Sequence, residues 1–159
     1  MARDLYTLFG QTCDAAIFDR IAASGQQHFD AVGTLLNTYA VADPATAQPA
    51  GTFANTDFQK LYDQWKAHGL TSVQDAYAVG VALEQTDIAG LEKVLPRNSD
   101  ADVQRVFIHL LTASRHHLAA STNVVDGGTG GRPGARGEGR GTGHGTGTGA
   151  GYRLGRSGS

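Results

Sequence analysis

The sequence has neither paired cysteines nor long apolar runs. Its single cysteine, Cys13, excludes an internal disulfide and a cysteine-rich metal site. No stretch approaches the roughly 18 consecutive apolar residues of a transmembrane helix, and the N-terminal residues have no signal-peptide core. We therefore expect a soluble, cytoplasmic protein with no membrane partner.

Bulky apolar side chains are scarce after Val125, where glycine accumulates. Of the 22 glycines, 15 lie in residues 126–159. Lys and Arg minus Asp and Glu gives 8 − 13 = −5 for residues 1–125 and 5 − 2 = +3 for residues 126–159. The composition predicts one acidic folded domain, residues 1–125, followed by a weakly basic tail.

The tail, residues 126–159, alternates glycine with threonine, arginine and alanine. It offers too little apolar surface to offset the entropy lost on ordering, so we predict that it is disordered. Arginine-glycine segments can contact nucleic acid. With only five arginines and one aromatic residue in the tail, the indication of a nucleic-acid partner is weak.

Strand patterns are missing from residues 1–125, because alternation of period two never lasts four residues. Apolar residues recur instead at three- and four-residue steps, which predicts an all-α fold. The predicted helices are residues 1–10, 14–39, 56–69, 72–95 and 99–124. Capping patterns and turn residues at their ends are Gly10, Asp14, Thr56, Ser72 and Ser99.

Loop lengths favour two antiparallel helix pairs. About three residues join the first helix to the second, and the fourth to the fifth, whereas some 32 residues with their own short helix join the pairs. This is the arrangement of a ferritin-like four-helix bundle with a shortened first helix and one long crossover. A generic helical bundle with an insertion has the same periodicity. The short first helix leaves an apolar flank, so we expect a homo-oligomer.

Polar side chains interrupt the faces that three of these helices should bury. A histidine on a buried face needs partners for both ring nitrogens, and a carboxylate there needs a counter-charge or hydrogen bonds. The three- and four-residue spacing places these side chains at a similar level of the bundle, within two or three helical turns of one another. The interior polar positions are His28 on the second helix, Glu84 and Asp87 on the fourth, and Ser114 and His117 on the fifth.

Two chemical interpretations of this cluster remain open. Imidazoles and carboxylates projecting into a bundle are the ligands of di-iron and di-manganese centres. His28, Glu84, Asp87 and His117 are therefore candidate ligands for iron, manganese or zinc. Hydrogen-bonded pairs, His28 with Glu84 or His117 with Asp87, would satisfy the same groups without any metal. His109 and His116 lie off the buried faces and receive no role.

Five segments resemble a bacterial ferritin-like family that is known only as a domain of unknown function. The resemblance covers about residues 1–122 and implies a rubrerythrin-like bundle with a two-metal centre but no known reaction. His28, Glu84, Asp87 and His117 match its inward polar positions. The segments are ARDLY (2–6), ASGQQHFDAV (23–32), GTFAN (51–55), LEQTDIA (83–89) and ASRHHL (113–118).

Two departures from that family indicate an incomplete site. Gly25 stands where the resemblance implies a bridging glutamate, and we expect a void or a water there. The family also has a glutamate-rich run just before Ala-Arg-Asp, where this chain begins, which leaves open that Met1 is an internal methionine. We expect a structural or binding module with a degraded metal site. The alternative is a di-iron or di-manganese oxidoreductase whose missing carboxylates come from an N-terminal extension.

Overall fold

A computed structural model describes residues 1–127, and every regular element in that range is helical. The all-α prediction is therefore confirmed for the described part of the chain. The predicted disordered tail falls outside it from residue 128 onward. None of the helices in residues 1–127 has the length and apolarity that crossing a membrane requires. The elements are α1 (Ala2–Cys13), α2 (Ala16–Thr38), α3 (Thr56–Gly69), α4 (Val73–Val94), a 3₁₀ turn (Leu95–Arg97) and α5 (Ala101–Val125).

The turn between α1 and α2 differs from the prediction. Helix α1 continues past Gly10 to Cys13, and Asp14 ends it in the left-handed conformation (φ 46°, ψ 42°) instead of capping α2. Gly10 has another use, because a Cβ there would collide with the carboxylate of Asp19. The glycine thus permits close approach of α1 and α2.

The other helix starts were predicted with mixed success. The Ser72 hydroxyl accepts a 3.0 Å hydrogen bond from the amide of Asp75, which confirms the cap of α4. Helix α3 is capped by Asn55, whose side chain accepts from the amides of residues 57 and 58, and not by Thr56. Helix α5 begins after Asp100, one residue later than the predicted cap at Ser99.

Two helical hairpins, α1–α2 and α4–α5, form the body of the molecule. They meet through contacts of α2 with α5 and of α1 with α4. The crossover helix α3 packs on α4 and α1. Its last residue, Gly69, lies against the ring of Phe9 with no room for a Cβ.

Within residues 1–127, the cluster of buried core residues lies at the end of the molecule that α1 covers. The rings of Tyr6, Phe9 and Tyr77 surround Phe18, with centroids 6.1, 5.7 and 4.7 Å from its centroid. Helix α2 has no buried residue beyond Ile21, and α4 has none beyond Glu84. Helix α1 has 12 residues and α2 has 23, so α1 spans about half the length of its partner. The polar residues of the predicted site lie where this core ends.

Candidate functional site

All four predicted site residues line one small cavity at the end of the core. His28 comes from α2, Glu84 and Asp87 from α4, and His117 from α5. The cavity has a volume of about 20 Å³, which is enough for one water molecule. The helix periodicity thus identified residues that do converge. The remaining residues of its lining are Ala2, Tyr6, Ile21, Gly25 and Ser114.

Glu84 is the centre of the contacts around this cavity. Its residue exposure is 2%, and its Oε1 atom accepts a 2.9 Å hydrogen bond from the hydroxyl of Tyr6. The same oxygen lies 3.3 Å from Nδ1 of His117, an ion-pair contact when the imidazole is protonated. The expected pairs were His28 with Glu84 and His117 with Asp87. The structure instead places His117 on Glu84, with Tyr6 as the second partner.

Tyr6 belongs to the site although the apolar pattern of the first helix gave no reason to include it. Burial, followed by the nearby Glu84 carboxylate, raises the pKa of the phenol far above its ordinary value. The hydroxyl therefore keeps its proton and acts as a permanent donor to Glu84. Ser121 lies beside it, facing the position where a Cβ on Gly80 would stand. Its buried Oγ atom has no hydrogen-bond partner within residues 1–127.

Asp87 and His28 are both held towards their neutral forms. Burial, followed by the adjacent Glu84 carboxylate, raises the pKa of Asp87 to about 6. Burial, followed by the neighbouring imidazoles of His117 and His109, lowers the pKa of His28. Both groups are therefore harder to charge than exposed groups of the same kind.

His109, which received no role from the sequence, lies next to His28. Their ring centroids are 5.8 Å apart, and the centroids of His28 and His117 are 6.2 Å apart. His109 is exposed at the surface and His116 is exposed as predicted. His28 thus stands between a surface histidine and an interior one.

The position of the missing glutamate is closed by a neighbouring helix. A Cβ on Gly25 would lie 3.2 Å from Cα and 3.3 Å from Cβ of Arg3. The expected void at this point is therefore filled in large part by the backbone of α1. A glutamate at position 25 would fit only if α1 moved away from α2.

These residues do not fit a two-metal centre. The donor types are suitable, but the cavity offers only two carboxylates and two imidazoles, and Glu84 already engages Tyr6 and His117. Within the described part of the chain, no three His, Cys, Asp or Glu side chains are arranged to hold a metal ion. A single ion would require the side chains to turn.

Comparison with known proteins gives a family and a fold. The profile of the family described as "Uncharacterized protein domain (DUF2202)" matches residues 1–133. Uncharacterized protein MJ0754 of Methanocaldococcus jannaschii is 36% identical over 126 residues, which are 79% of this chain and 68% of that protein. The crystal structure of hypothetical protein MJ0754 from Methanococcus jannaschii superposes with a TM-score of 0.76, covering 79% of this chain and 72% of the other.

Proposed function

This chain belongs to the DUF2202 family, and we propose that it is a ferritin-like structural or binding module whose interior site no longer holds two metal ions. The observation that carries the proposal is the double engagement of Glu84. Its Oε1 atom contacts the Tyr6 hydroxyl at 2.9 Å and Nδ1 of His117 at 3.3 Å. A buried carboxylate with these partners needs no metal to offset the cost of its burial.

The ferritin-like part of the proposal rests on the connection between the hairpins. Two antiparallel pairs, α1–α2 and α4–α5, are joined by a single long crossover that carries α3. One long crossover distinguishes ferritin-like bundles from bundles in which every loop is short. Inward polar residues on α2, α4 and α5 are the second feature in common.

We infer that the site is degraded because two carboxylates that the family resemblance implies are absent. At position 25 the helix carries glycine, and the backbone of Arg3 lies against it. The four remaining donors suit one divalent ion at most, and intrinsic affinity would favour zinc over iron or manganese. We therefore propose substoichiometric metal content and a role in binding or architecture.

The alternative function, a di-iron or di-manganese oxidoreductase, has one favourable observation. Ala2, in the first turn of α1, lines the cavity. A helical segment preceding it would run along α2 and α4 beyond the cavity and could supply glutamates there. In-frame glutamate codons immediately upstream of Met1 in the genomic DNA would support this alternative, although Gly25 would still weaken the centre.

Thermal unfolding of metal-stripped protein tests the main proposal. We expect the stripped chain to be folded and to gain little stability from Mn²⁺ or Fe²⁺. Glu84→Ala should unfold at lower temperature in the absence of metal, because the buried Tyr6 hydroxyl loses its 2.9 Å acceptor and keeps only the longer 3.3 Å contact with the Gly80 carbonyl. Gln85→Ala is the matched control, since Gln85 is the neighbour of Glu84 on the same helix but is exposed. Loss of the fold on chelation would overturn the proposal.

A further inference from the structure

We propose that His28 and His109 form an outer site for one transition-metal dication, which shares only His28 with the interior set around Glu84. The site takes the class of ions that prefer imidazole, namely Zn²⁺, Ni²⁺ and Cu²⁺. It lies between α2 and α5, where His28 lines the polar cavity and His109 is exposed outside that lining. The proposal does not require the interior residues around Glu84 to bind metal.

The ring geometry suits a shared ion. With metal-nitrogen distances of about 2.1 Å, two imidazoles on a tetrahedral ion have ring centroids about 5 Å apart. The centroids of His28 and His109 are 5.8 Å apart, and their planes are nearly perpendicular at 81°. The two rings would have to rotate and approach slightly to place one nitrogen of each on a shared ion.

The two flanking histidines cannot serve His28 at the same time. His109 and His117 are eight residues apart on α5, which is a rise of about 12 Å. His28 lies between them, 5.8 Å from one ring and 6.2 Å from the other. An ion on His28 therefore has either His109 or His117 as its second ligand.

Accessibility selects His109 for the outer ion. His109 is exposed and His28 is half-buried, whereas the side chain of His117 is 16% exposed and that of Glu84 is 2% exposed. Water molecules can complete the coordination of an ion on His28 and His109 without displacing a core residue. An ion on His117 would compete with its contact to Glu84.

Calorimetric titration of the metal-stripped full chain with Zn²⁺ tests the outer site. We expect His109→Ala and His28→Ala each to weaken the binding by about tenfold or more, and their double variant to be no weaker than either single variant, because both remove the same site. His116→Ala, which alters an exposed histidine of the same helix, should bind as the wild type does.

Two outcomes would overturn the outer site: wild-type affinity in His109→Ala, or no measurable Zn²⁺ binding by the wild type. Glu84→Gln separates this proposal from the interior metal site. If Zn²⁺ binding depends on His109 and survives Glu84→Gln, the outer site stands whatever the interior residues do. If binding is lost in Glu84→Gln but kept in His109→Ala, the outer site is wrong and the interior residues bind the ion.

Discussion

The hydroxyl of Tyr6 and the carboxylate of Glu84 form a buried 2.9 Å hydrogen bond that joins α1 to α4. The two residues are 78 positions apart, so this bond closes most of the domain on itself. Since the phenol keeps its proton and the carboxylate also faces His117, Glu84 has two protein partners without any metal.

Tyr6→Phe should destabilise the fold while preserving its shape. The substitution leaves Glu84 buried with one partner fewer, which costs about 1–3 kcal/mol in the free energy of unfolding. Tyr77→Phe is the control, because Tyr77 belongs to the same core and its hydroxyl makes no hydrogen bond within residues 1–127. Urea unfolding curves of the two variants give the comparison. Equal effects would show that the hydrogen bond to Glu84 contributes nothing specific.

Asp87→Asn should change how stability depends on pH. The folded pKa of Asp87 is raised to about 6 from 3.8, so its contribution to stability is present below about pH 4 and is lost as the pH rises through about 6. The variant should therefore be more stable than wild type at neutral pH, by about 1–2 kcal/mol after allowance for partial exposure.

The lowered pKa of His28 acts in the opposite direction, favouring stability as the pH rises towards 6.5. The difference between Asp87→Asn and wild type, measured without metal from about pH 4 to 8, therefore isolates the carboxylate. A difference that does not change with pH for Asp87→Asn would contradict the assigned burial of this side chain.

Two glycines of α2 should respond differently to substitution by alanine. Nothing lies within 4 Å of a Cβ built on Gly33, so Gly33→Ala should stabilise the helix by about 1 kcal/mol. Gly25→Ala places its methyl group against the backbone of Arg3, and the crowding should cancel or reverse that gain. Thermal unfolding of both variants measures the difference. An equal gain at both positions would show that α1 does not close position 25.

Self-association is the prediction that follows from the exposed apolar surface on α2 and α5. The half of α2 beyond His28 has no buried residue, and Ile108 on the facing part of α5 is 53% exposed. We expect a homo-oligomer, with Ile108→Lys shifting it towards the monomer because a charge cannot be buried in an apolar interface. Phe58→Lys on α3, where Phe58 is 55% exposed, is the control. A monomeric wild type in light scattering would contradict this prediction.

Convergence at the site was predictable from sequence because long helices carry many turns of periodicity. His28, Glu84 and His117 each lie on a face that three- and four-residue steps define, and short loops fix the levels of two helix pairs. The sequence did not identify Tyr6 as a site residue, because α1 has about three turns, too few for its apolar residues to define one face. The sequence did not identify His109 either, because its distance from His28 depends on how α2 crosses α5.

The ends of the helices were harder to predict than their buried faces. Asp14 was expected to cap α2, but aspartate is also favourable in the left-handed conformation that ends α1. Gly10 suggested a helix stop, whereas its missing side chain serves the approach of Asp19. In both cases the residue type suits two roles, and only the packing of α1 on α2 decides between them.

Elemental analysis of the purified full chain, with Glu84→Ala and His28→Ala beside it, tests the central claim most directly. The account predicts less than one iron or manganese ion per wild-type chain, and loss of stability in Glu84→Ala even when no metal is present. Two tightly held iron or manganese ions per chain, removed by either substitution, would contradict it.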